Sequence, residues 1–191
     1  MENLKLYKKG LLLEKFVRGG GSNRLIEKCI ELKDLTEYYT SNLTIQSLKE
    51  VDNEIYPVYD LNGICAYTNT YQFDFSYISI AKDGSVGRIQ ICESNSSITG
   101  TLGVIKPINC QLEYLYYYLQ TVNFKKYIVG TTIPHIYYKD YSDMLVPIPS
   151  IEEQNRIANL FSNLDKKIEL ETKKLQDLKT YKKGLLQKMF I

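Results

Sequence analysis

An α+β fold is the class this 191-residue chain predicts: a globular domain built on a small curled β-sheet, followed by a long C-terminal α-helix. Three observations carry that expectation. Short β-rich runs separated by tight-turn residues fill the middle of the chain. One stretch among them switches to helical spacing, and an apolar heptad pattern without a proline occupies the C-terminal end.

Residues 1–16 have helical composition, and VRGGGSN (17–23) ends them, because three successive glycines continue a helix only at a high entropic cost. That segment reads as a linker. Residues 24–149 follow as the domain. Strands are expected at Ile55–Tyr59, Gly63–Tyr67, Tyr77–Ala81, Val86–Cys92 and Thr101–Lys106, with Asp60-Leu-Asn-Gly63 and Asp83-Gly84 supplying turn chemistry. Leu112, Leu115, Leu119 and Val122 then recur at helical spacing within 108–130, an amphipathic helix opened near Asn109 and stopped at Gly130. MLVPIP (144–149) reads as a last strand.

Residues 150–191 form the long helix. Ser150-Ile-Glu-Glu153 has the S-x-x-E pattern, in which the hydroxyl caps the third amide and the carboxylate reaches back. Ile157, Leu164, Leu178 and Leu185 fall on one heptad position, and Phe161, Ile168, Leu175 and Met189 on the other; Glu171 and Lys182 interrupt them. About 40 residues at 1.5 Å each make a rod of ~60 Å. The seam packs either on its own domain or against another helix, within the chain or between chains, as an antiparallel coiled-coil-like spacer and dimerisation element.

The chain also repeats itself. LKLYKKGLLLEKF (4–16) and LKTYKKGLLQKMF (178–190) agree at nine of thirteen positions. Residues 1–16 therefore read as a second copy of the end of the long helix, as a tandem domain–helix–domain–helix parent would leave. Lys8, Lys9, Lys182 and Lys183 in these motifs either meet a partner or form a solvated face.

Composition bounds the function. The net charge of +2 neither demands nor excludes a polyanion, but residues 40–149 hold seven Lys or Arg against ten Asp or Glu, so nucleic acid there needs a clustered basic face. Cys29, Cys65, Cys92 and Cys110 lie 36, 27 and 18 apart, which is no zinc spacing and suggests reduced, mostly buried thiols in the cytoplasm. No run reaches the ~18 apolar residues of a membrane span. No phosphate loop, dinucleotide fingerprint, metal-ligand set or nucleophile with a base is visible, so neither a catalytic residue nor a metal site is assigned.

Two loops concentrate groups suited to DNA. In KDGSVGR (82–88), glycines permit close backbone approach, while Lys82, Ser85 and Arg88 donate to phosphates or base edges. An ordinary solvated hairpin is the competing reading. GTTIPHIYYKD (130–140) adds Thr131, Thr132, His135, Tyr138 and Lys139 beyond Lys125 and Lys126. A lone histidine is more often structural, and the run Tyr116-Tyr117-Tyr118 either stacks on bases or packs as part of the core.

PIPSIEEQNRIANLF (147–161), the leucine seam and the closing YKKGLLQKMF resemble the domain-to-helix junction and conserved helix of type I restriction-modification specificity subunits. YPVYDLNGICAY (56–67), ISIAKDGSVGR (78–88) and GTTIPHIYYKDYSDMLVP (130–147) are similar to that family's target-recognition domain, although Asp60-Leu61 replaces its usual small residues. The resemblance implies loops that approach the major groove, two recognition domains where this chain holds one, and antiparallel helices as spacer. It further implies a non-catalytic subunit that reads one half-site of a bipartite double-stranded DNA target and docks methyltransferase and restriction subunits. S-adenosylmethionine, ATP and Mg belong to those partners, and the single domain implies a homodimer through the long helix. The alternative is a truncated decoy that binds modification subunits without reading DNA.

Overall fold

The chain opens with α1 (Glu2–Phe16), and strand β1 (Lys28–Glu31) leads through the single turn α2 (Leu32–Leu35) into β2 (Thr36–Thr40). This computed structural model describes residues 2–16, 28–48 and 55–189; the glycine-rich segment 17–23 and the side chain of Met189 lie outside that set. There follow β3 (Tyr56–Asp60), β4 (Gly63–Thr68), β5 (Tyr77–Ala81), β6 (Ile89–Cys92), β7 (Ser97–Ile98) and β8 (Leu102–Pro107). Helix α3 (Leu112–Leu119), a 3-10 turn (Phe124–Tyr127), the single turn α4 (Tyr138–Tyr141) and β9 (Leu145–Ile148) precede the long helix α5 (Ile151–Met189).

The sheet is divided. Among the described residues strands run in the order β2-β8-β5-β6 in one sheet and β4-β3-β7 in a second, while β1 and β9 form a two-stranded pair. Alternation along the central strands explains the division. Ile78, Ile80 and Ile105 point into one core with Leu32, Leu35, Leu115, Ile136 and Val146, while Tyr77, Ala81, Leu102 and Val104 point into another with Tyr59, Phe73 and Ile98. A strand buried on both faces carries apolar residues on both, and all five residues of β5 are buried, with Ser79 the one polar side chain among them.

Sequence reasoning placed the β3–β4 hairpin well: Asp60 pairs with Gly63, and the Asn62 N–H donates to Asp60 Oδ1 at 2.7 Å. It assigned no strand at β1, β2 or β7. The helix expected over 108–130 is shorter, because β-branched Thr121 and Val122 end it and the Asn123 side chain caps the 3-10 turn instead. Its N-cap is Gln111, two residues beyond Asn109.

At the start of α5 the Ser150 hydroxyl accepts the Glu153 N–H at 3.4 Å, but the Glu153 carboxylate turns to Arg156 at 2.6 Å instead of closing the capping box. Gln154 is the firmer tie. Its side chain is buried, accepting the Gln111 N–H at 3.0 Å and donating to the Pro149 carbonyl at 2.9 Å, which joins α5 to the start of α3. Beyond it, Ile157 and Phe161 pack with Leu12 and Phe16 of α1 and with Tyr114 and Tyr117 of α3.

Candidate nucleic-acid interface

Beyond β5 the backbone leaves the sheet at Lys82, whose N–H donates to the Thr101 carbonyl at 3.0 Å and whose own carbonyl accepts the Ile136 N–H at 2.9 Å. The Gly84 N–H donates to the Pro134 carbonyl, also at 3.0 Å. Between these bonds Asp83 and His135 stand opposite one another, and the His135 Nδ1 is hydrogen-bonded to the Asp83 carboxylate. The two loops singled out in the sequence are therefore one ribbon. Its next residue, Ile136, is 1% exposed and fixes the ribbon to the core.

His135 has a second structural part. It exchanges both backbone hydrogen bonds with Val129 at 2.9 Å, closing residues 130–134 into a small loop. Gly130 makes that closure possible: its φ is +87°, and a Cβ there would lie 2.8 Å from the Ile133 carbonyl oxygen. Thr131, Thr132 and Ile133 stand exposed on the loop's rim.

Gly87 sets the third element. At φ +79° its Cα lies so near Phe124 that a Cβ would meet the Phe124 Cβ at 2.5 Å. Phe124 is buried and begins the 3-10 turn, so that contact places Lys125 beside the 82–88 loop. Arg88 reaches the other way, donating from Nη1 to the Asn62 side chain at 3.2 Å, and so joins the tip of the β3–β4 hairpin.

Charge is sorted across the domain. Among the described residues Lys82, Arg88, Lys125, Lys126 and Lys139 form no ion pair. Elsewhere Lys33 takes Asp143 at 2.8 Å, and Lys106 takes Glu37 at 2.8 Å, holding that carboxyl below its ordinary value. A net acidic stretch thus presents Lys82, Arg88 and Lys125 without ion-pair partners among the described residues beside the two loops. Guanidinium forks suit phosphates and guanine edges, ammonium groups suit phosphates, and hydroxyls meet either.

The structure gathers Lys82, Ser85, Arg88, Lys125, Thr131, Thr132 and His135, and sets two other candidates apart. Tyr138 shares a 2.8 Å hydrogen bond with Thr36 and stacks on Tyr38, with centroids 4.3 Å apart; burial raises its pKa. Lys126 lies over the Tyr127 ring at 4.9 Å, at a depression also lined by Phe16, Tyr118 and Met144. Tyr137 is what sequence reasoning missed. Its exposed ring lies 4.3 Å from that of His135 and beneath the Lys139 ammonium at 5.5 Å, which ties Lys139 to the cluster. Only the phase of the one-turn helix α4 separates Tyr137 from Tyr138.

The tyrosine run on α3 packs. Tyr117 is buried and donates to Asp165 at 3.0 Å, and Tyr118 donates to the Leu145 carbonyl at 2.7 Å. Along α5, Ile157 and Phe161 are buried, Leu164 and Ile168 are half-buried, and Leu175, Leu178 and Leu185 are exposed. Only the first stretch of the seam is covered by its own chain. All four cysteines are free. Cys92 is buried, its thiol pushed up to about 11 by burial, but Cys29 is exposed and the other two are half-buried, so the thiols are less sheltered than expected. Among the described residues no group of three His, Cys, Asp or Glu could hold a metal ion, and no helix is long and apolar enough to cross a membrane.

A family model described as the type I restriction modification DNA specificity domain matches residues 28–180. The chain is similar to the type I restriction enzyme EcoDI specificity subunit of Escherichia coli, at 30% identity over 155 residues, covering 79% of this chain and 34% of that protein. It is also similar to the MjaIX specificity subunit of Methanocaldococcus jannaschii, at 28% identity over 170 residues, covering 83% of this chain and 36% of that protein. The chain thus spans about a third of the length of these curated relatives. Among solved structures, the S subunit of a type I restriction-modification system from M. genitalium superposes with a TM-score of 0.64 at 19% identity, over 78% of this chain and 41% of that one. The HsdS subunit of Thermoanaerobacter tengcongensis gives 0.64 at 17% identity, over 88% and 45%. At such identities the structures establish a shared fold.

Proposed function

Because this chain belongs to the type I restriction-modification DNA specificity family, we propose that it reads one half-site of a bipartite double-stranded DNA target through the face made by residues 82–88, 125 and 129–139. The observation that carries this reading is the ribbon. Two loops that diverge in sequence are bonded backbone to backbone, and their cations stay unpaired while carboxylates elsewhere are taken up. A preorganised donor surface of this kind loses little entropy on meeting a duplex.

The function is recognition, with no bond made or broken by this chain. Methylation and cleavage belong to methyltransferase and restriction subunits in the cytoplasm, which bring S-adenosylmethionine, ATP and Mg. Helix α5 serves as spacer and docking element. Its uncovered seam at Leu175, Leu178 and Leu185 supports antiparallel pairing with a second copy, which makes the target two inverted copies of one short sequence. Readers on the same face of B-DNA lie about one turn, ~10 bp, apart.

Selection from random-sequence duplex tests the recognition. The reading expects an enriched short motif that is lost in a Lys82→Ala, Arg88→Ala double variant. Binding to methyltransferase subunits with no enriched motif would mark a decoy.

A further inference from the structure

Helix α1 runs antiparallel along α5. Leu4 lies with Leu175 and Leu178, Lys8 meets Asp165 at 2.6 Å, and Leu12 and Phe16 bury against Ile157 and Phe161. The seat is well made. Asp165 also accepts from Tyr117 at 3.0 Å, the Lys8 ammonium lies 5.1 Å from the centroid of that ring, and its side chain is only 14% exposed.

The helix that fills this seat is a sequence copy of 178–190. Shifted by the offset of the repeat, Leu4, Tyr7, Lys8, Leu11 and Leu12 become Leu178, Tyr181, Lys182, Leu185 and Leu186. That second set stands exposed: Leu178 is 64% exposed, Tyr181 67%, and Leu185 and Leu186 44% each. The tail therefore carries the side chains that fit the α1 seat, on a helix too straight to bring them back to it.

We propose that residues 178–189 of a second copy occupy the seat now held by α1, so that α1 is a tethered competitor of dimerisation. The inference rests on the pairing of α5 proposed above and specifies its register. If Lys182 of one copy faces Asp165 of the other, as Lys8 does within the chain, an antiparallel pair meets both contacts at once. Its two-fold axis then passes beside Lys173 and Lys174, midway between the paired residues. One seat cannot hold both helices. Pairing of α5 in this register therefore requires α1 to leave, and a docked α1 keeps the chain single.

Charge exchange on the full chain, read by sedimentation velocity, separates the two contacts because Asp165 serves both. Lys8→Asp releases α1 and is expected to tighten dimerisation ~10-fold, and Lys182→Asp to weaken it by a similar factor, the scale of two partly buried ion pairs gained or lost per dimer. Asp165→Lys weakens both contacts. Adding Lys182→Asp to it restores the dimer, whereas adding Lys8→Asp restores a docked α1 and a monomer. Thermal melting of each variant identifies any that no longer folds, and the two double variants, charge-matched again, carry the comparison in that event. Dimers indifferent to all three positions would overturn the shared seat while leaving pairing intact. Monomers in every variant, Lys8→Asp included, would overturn pairing and the shared seat together.

Discussion

Arg88 and Lys125 have different work on the proposed DNA face, and their substitutions are expected to differ accordingly. Arg88 is aimed by Asn62 and carries a fork able to read a base edge, so Arg88→Ala should cost about 1–3 kcal/mol of specific binding and relax the motif at one position. Lys125 is exposed and unpaired, so Lys125→Ala should weaken all duplexes alike and lower the slope of log affinity against log salt by about 1. Binding titrations at several salt concentrations, with selected and scrambled duplexes, check both. Gly130 offers a sharper test. Gly130→Ala strains a left-handed residue against the Ile133 carbonyl, and about 1–3 kcal/mol of local strain should reshape the 130–134 loop. DNA affinity should fall several-fold while far-UV circular dichroism stays unchanged. At this scale the candidate site was partly legible. Arginine, lysine and threonine beside glycine are conspicuous in a string of letters. The Asp83–His135 pairing joins residues 52 apart, which no local pattern records. Tyr137 was passed over for Tyr138 because a four-residue helix has too few residues to set a period.

Elements were legible where one rule governed them. Tight-turn residues fixed the β3–β4 hairpin, and heptads fixed α5 from end to end. They were illegible where the partner is remote: β1 pairs with β9, Glu31 meeting Leu145 across most of the domain. The junction of α3 and α5 is the element whose failure should be easiest to see. Gln154→Ala removes the partners of the half-buried Gln111 N–H and the buried Pro149 carbonyl, so about 1–3 kcal/mol of stability should be lost in chemical denaturation. Acid should act on the same helix start. Bonding to Arg156 lowers the Glu153 pKa, and a backbone hydrogen bond lowers that of Glu152, both below the ordinary 4.5. Their contribution is complete above that value and is lost as pH falls through the lower, folded values. Melting temperature should therefore hold from pH 5 to pH 8 as far as these groups control it, then drop on acidification, and the drop should shrink in Glu153→Gln.

At the scale of the whole molecule the parts answer to one another. The acidic balance of residues 40–149 requires any nucleic-acid partner to meet a clustered basic face, and the fold takes up Asp83 and Asp143 in pairs while Lys82, Arg88 and Lys125 form no ion pair among the described residues. The heptad seam posed a choice between packing at home and packing abroad, and both descriptions apply to different stretches: covered from Ile157 to Leu164, open from Leu175 onward. In the proposed reading, a domain with one DNA-reading face and a rod with one open seam make half of a symmetric instrument. The most direct measurement of that claim is genome-wide mapping of methylated adenines after co-expression with the cognate methyltransferase subunit. The account expects methylation confined to a short sequence and its inverted copy, separated by a constant gap. Methylation at targets with two unrelated halves, or at no defined sequence, would contradict it.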